Sequence, residues 1–177
     1  MKNIIIITTL MLLCAASCKK DKAYEDQLPP ATQTGANTFG CLVNGKVWIP
    51  KGFTGTGTPN PKLSFDNYNG NTIFSINTYH YQNQVAEGFI SLSLIDSNLN
   101  IGSFNYPSNM NFSIGWEQVL GSCFTPAFDT TIKKWGSARI LKYDNVNNII
   151  SGNFSAKFKA PNCDTVFITE GRFDIKF

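Results

Sequence analysis

Apolar and polar residues alternate with a period of two along most of the chain beyond residue 37. Ile90, Leu92 and Leu94 interleave with Ser91 and Ser93, and Met110, Phe112, Ile114 and Trp116 interleave with Asn111, Ser113, Gly115 and Glu117. Ile150, Phe154, Ala156 and Phe158 alternate with Ser151, Asn153, Ser155 and Lys157, and Phe173, Ile175 and Phe177 with Arg172, Asp174 and Lys176. Such alternation marks strands with one face on a core and one in water, and no window carries a helical stripe. The pattern predicts strands over 38–43, 46–50, 62–66, 72–81, 88–95, 110–116, 133–143, 149–159, 164–169 and 171–177. Asn44-Gly45 and Asn69-Gly70 take positive φ easily and suit tight hairpins, while 144–148 makes a longer turn. Roughly nine or ten strands with short connections imply an all-β domain, an antiparallel sandwich or a small barrel.

The first 36 residues break this pattern. Lys2 precedes about ten apolar residues from Ile4 to Leu13, the length of a secretory h-region and too short for a bilayer span of roughly 20. Ala15-Ala16-Ser17-Cys18 follows, with small side chains before a cysteine. Leu13 is too bulky to precede a cleavage site, so Cys18 is favoured over Cys14. The segment resembles a bacterial lipobox, which implies a signal peptide over 1–17 and an acylated Cys18 as the membrane partner; an ordinary secreted protein is the alternative. Residues 18–36 contain Pro29-Pro30 and no apolar periodicity, as a flexible tether would, leaving 37–177 as one domain.

Composition narrows the chemistry. The chain has 177 residues, 15 Lys and Arg against 12 Asp and Glu, and its basic residues are scattered, which argues against a nucleic-acid partner. Cys41, Cys123 and Cys163 allow three single pairings in an oxidising compartment. Flanking turn residues favour Cys123 with Cys163, leaving Cys41 as a buried free thiol.

No catalytic apparatus, cofactor site or metal site emerges. His80 is the only histidine and sits between two tyrosines in a strand, as an exposed or hydrogen-bonded residue. The thiols lack zinc spacing. Asp96-Ser97-Asn98-Leu99-Asn100 starts like a calcium loop but has Ile101 and Pro107 where glycine and glutamate belong. Among Glu87, Glu117, Asp129, Asp164 and Glu170, no pair stands out as a glycosidase dyad. Trp48, Trp135, Tyr79 and Tyr81 are candidates for stacking on sugar rings, with a polysaccharide or a protein as the partner; Trp116 belongs to an apolar face. A terminal phenylalanine also fits an outer-membrane barrel, but the strands are short and irregular.

Two stretches carry a family likeness. Thr38 to Trp48 reads TFGCLVNGKVW, and the end holds Ile149-Ile150-Ser151-Gly152-Asn153-Phe154 with Thr169-Glu170-Gly171-Arg172-Phe173-Asp174. These resemble Bacteroidota-type lipoproteins of unknown function, in which such hairpins bracket a variable middle, here about 52–133. The resemblance implies an outer-membrane lipoprotein and no catalytic residue. Gly152 and Gly171 suit bulges or close strand approach, Phe154 and Phe173 fill the core, and Arg172 and Asp174 read as a solvated outward pair. The lipoproteins often carry acidic export signals; Lys19-Lys20-Asp21-Lys22 holds one acid among three lysines, so the surface or periplasmic side is open. The expected protein is a lipid-anchored envelope module for binding or structure, with glycan binding as an alternative and hydrolysis behind it.

Overall fold

The computed structural model describes residues 27–52, 59–82, 85–97, 99–116, 131–161 and 163–177. Ten strands are described: β1 (Thr38–Val43), β2 (Lys46–Trp48), β3 (Lys62–Tyr68), β4 (Asn71–Gln82), β5 (Val85–Asp96), β6 (Gly102–Asn105), β7 (Met110–Trp116), β8 (Lys133–Asp144), β9 (Ile149–Lys159) and β10 (Val166–Lys176). They form two antiparallel sheets, ordered β2-β1-β10-β9-β8-β6 and β3-β4-β5-β7, which face each other as an open sandwich and do not close into a barrel. No described residue is helical.

Local chemistry sets the hairpins. Asn44 and Gly45 have φ of 49° and 80°, and Asn69 and Gly70 have 50° and 78°; two successive positive φ values match the right-handed strand twist. β6 is an additional short strand over residues that the alternation leaves blank. With four residues it shows too few repeats to stand out, and pairing with β8, Gly102 to Asn105 against Ile140 to Ser137, is what makes it a strand. The last two expected strands are one: β10 runs through Glu170, whose φ of 52° makes a bulge that shifts the register against β9 between Ile168 and Gly171.

Inward residues from both sheets fill the core. Phe154 is its hub, stacked on Phe39 at 5.0 Å and tilted against Phe112 at 5.7 Å between ring centroids. Gly171 and Gly152 leave room for these rings, since a Cβ at Gly171 would stand 2.5 Å from the Phe154 ring and one at Gly152 would stand 2.6 Å from Cζ of Phe173. Cys41 is a free, buried thiol, and burial pushes its pKa up to about 12.

The sequence leads one to expect a tether up to residue 36, but residues 27–36 are docked. They cross the outer face of the six-stranded sheet as a strap, and Asp174 holds them. One Asp174 oxygen accepts from Thr32 Oγ1 at 2.6 Å and Thr34 N at 2.9 Å, the other from Gly35 N at 2.8 Å. Asp174 therefore corrects the expected solvated pair: it points outward, yet is 1% exposed because the strap covers it. Neighbouring Arg172 reaches the carbonyl of Pro29 at 3.4 Å and Glu170 at 3.2 Å. The strap lacks apolar periodicity because its attachment is polar and is made by residues about 140 positions away.

Candidate functional site

The outward faces of β8, β9 and β10 bring side chains into register as rows. In one row, Phe167 pairs with Lys157, and Lys157 pairs with Trp135. The Lys157 ammonium sits 5.2 Å from the Trp135 ring centroid and 5.4 Å from that of Phe167. Both rings stay substantially in solvent, Trp135 at 50% and Phe167 at 47% exposure. Lys133 and Lys159 face each other one row toward the strand ends.

On the other side lie polar rows. Ser155, Ser137 and Asn105 make one, with the two hydroxyls 3.3 Å apart; Arg172, Asn153, Arg139 and Ser103 make the next. Rows two residues apart are roughly 7 Å apart along the strands and neighbouring strands about 4.8 Å apart across them. All of these side chains but Arg172 line a cleft of about 390 Å³, which Glu170 also borders. It adjoins a second hollow of about 320 Å³ that shares Asn153 and Glu170 and is walled by strap residues 30–33. The Asp174 latch thus fixes one wall of this second hollow, not of the cleft itself. Burial alone would raise the Asp174 carboxyl, but the donors from Thr32, Thr34, Gly35 and Ala36 outweigh it and hold the pKa below the ordinary carboxylate value.

The four sequence candidates for sugar stacking part company here. Trp135 belongs to the cleft face. Trp48 is 1% exposed and edge-on to Phe39 at 6.1 Å, so it is core rather than a stacking platform. Tyr79 and Tyr81 are half-buried neighbours, 5.6 Å apart, on the outer face of the other sheet, where Asn60 pins Tyr79 through both backbone groups at 2.7 and 2.9 Å. They cannot join Trp135 in one surface. His80 is neither freely exposed nor bonded through Nδ1, which is buried without a partner among the described residues; its ring lies 6.4 Å from Trp48.

No family model, curated protein or solved structure matches this chain.

Among the described residues no group of three or more His, Cys, Asp or Glu converges as a metal site would require. Of the acids considered for hydrolysis, Glu117 and Asp129 lie outside the described residues, as does the side chain of Glu87. Glu170 is spent on Arg172. Cys163 is disulfide-bonded; Cys123, its expected partner, and Cys18 lie outside the described residues, as does the side chain of Trp116. A cavity of about 660 Å³ opens between β3 and the chain end beside Pro61, Leu63, Phe65 and Phe177. It offers an apolar wall, with Lys62 and Lys176 the only charged side chains in its lining.

Sequence reasoning missed Phe167, Lys157, Arg139 and Asn153 as site residues. The signal was present in the alternation, since all four occupy polar-phase positions, and Phe167 is an aromatic in that phase. What the sequence lacked was the strand order that sets these positions side by side.

Proposed function

We propose that this chain is a lipid-anchored cell-envelope protein that works as a non-catalytic binding module, with a glycan as ligand. The anchoring half is supported by the h-region and by Ala15-Ala16-Ser17-Cys18, and the outer membrane of a Gram-negative cell as its site is supported by the likeness of the two hairpins to Bacteroidota-type lipoproteins. The binding half rests on one observation: Trp135, half in solvent on a rigid strand, stands in register with Phe167 beside a cleft lined by hydroxyl, amide and guanidinium groups. A sugar ring presents C–H faces that bury well on an aromatic face and an equatorial rim of hydroxyls that needs donors and acceptors. That combination is what the rows offer.

A glycan array probed with the chain tests the binding half. Binding to at least one polysaccharide is expected, with loss of most of it in Trp135→Ala and little change in the melting temperature. An array without a hit removes the reading. Palmitate-analogue labelling tests the anchor: the wild type is marked, and equal labelling of Cys18→Ala contradicts acylation there.

A further inference from the structure

The charges on the six-stranded sheet are unevenly used. Its described strands carry three acids: Asp144, Glu170 and Asp174. Each is already engaged. Asp144 is 3.5 Å from Lys142 and accepts from Asn147, Glu170 pairs with Arg172 at 3.2 Å, and Asp174 holds the strap. The cations are not balanced in the same way. Lys133, Lys157 and Arg139 point outward and have no acid partner among the described residues, and Lys159 is met only by the carbonyl of Cys163. Lys133 and Lys159, facing each other across one register position, repel mildly unless an anion lies between or near them.

From this complementarity we infer that the ligand of the cleft face is an acidic polysaccharide carrying carboxylate groups, with Lys133, Lys157 and Arg139 as the residues that select its charge. The inference rests on the glycan-binding reading above and specifies its substrate class. A uronate-type chain supplies both features the face requires: apolar ring faces for Trp135 and Phe167, and anions repeated along a flexible strand. Arg139 stands beside Asn153 in the cleft, where a guanidinium can take a carboxylate through two parallel N–H donors. Lys157 currently rests between two rings. An arriving carboxylate offers it a full charge in place of two weak cation–π contacts, and its departure uncovers the Trp135 face for the sugar.

The test is gel retardation of the full chain carrying Cys18→Ser in native gels containing polygalacturonate, its methyl-esterified form or dextran sulfate, with sedimentation on anionic phosphatidylglycerol vesicles in parallel. Retardation by polygalacturonate is expected, with loss on esterification and weakening with added salt. Lys157→Gln and Arg139→Gln are each expected to weaken it by about fivefold, the scale of one exposed charge contact; both side chains are exposed, so an unchanged melting temperature serves as the control. Equal retardation by the esterified polymer, lost in Trp135→Ala, overturns the acidic ligand and leaves glycan binding standing. Equal or stronger retardation by dextran sulfate reduces the effect to general attraction of polyanions and overturns it. Sedimentation with vesicles in the absence of polymer binding assigns the face to membrane contact instead. No retardation by any of these polymers overturns this inference, while a hit for a neutral glycan on the array would leave the glycan reading standing.

Discussion

Asp174 shows how far one residue can depart from its sequence environment. Alternation puts it on the outward face, and there it is; the strap then makes that face an interior. A carboxyl whose native pKa lies below its unfolded value adds stability in full above the unfolded value, near 3.8, and loses it as pH falls through the native one. Acid is therefore expected to loosen the strap below about pH 4, detected as new protease sites within 27–36. Asp174→Ala is expected to do the same at neutral pH and to cost on the order of 2 kcal/mol in chemical denaturation, because hydrogen bonds to a charged group contribute about 1.5–3 kcal/mol each and the freed donors regain water. Cys41 behaves in the opposite sense. With its pKa near 12, the thiol is expected to stay unmodified by a soluble disulfide reagent at pH 8 until the chain unfolds. Fast labelling of the native protein contradicts that burial.

At the scale of the element, what was legible follows from repetition. Strands β4, β5, β8 and β9 each run eleven or twelve residues, long enough for the alternation to repeat over part of their length, and their existence follows from the sequence alone. The Asn-Gly turns are legible for a different reason, since few residue pairs adopt two positive φ values cheaply. β6 and the bulge at Glu170 are not legible, because each depends on a partner strand far along the chain. The same holds for the site: Trp135 can be picked out as an aromatic in the polar phase, but Lys157, Phe167 and Arg139 become a group only once β8, β9 and β10 are neighbours. Gly171→Ala probes this dependence, since the added methyl meets the Phe154 ring at 2.5 Å. It is expected to cost about 1–3 kcal/mol by overpacking, measured as a lower denaturation midpoint with an unchanged slope. A fully neutral substitution contradicts the close approach of β10 to β9.

For the molecule as a whole, the two sheets divide their labour by surface. The four-stranded sheet presents serines and asparagines that bond to each other, Ser75 to Ser93 at 2.9 Å and Ser91 to Asn77 at 2.8 Å. The six-stranded sheet presents groups with capacity to spare. Deleting the strap residues 27–36 is expected to leave a folded sandwich, judged by a cooperative melt, while removing one wall of the hollow that adjoins the cleft and weakening polymer binding. Retained binding of full strength shows that the strap does not shape the site.

The strap also has a mechanical meaning. Were Cys18 acylated as proposed, tension from the membrane would enter the described fold at residue 27, the start of the strap. Such a pull would meet the Arg172 contact to Pro29 and then the bonds at Asp174 before it reached the seam between β1 and β10. Parting of those bonds would let the ten strap residues extend by up to about 35 Å before any strand of the sandwich was loaded.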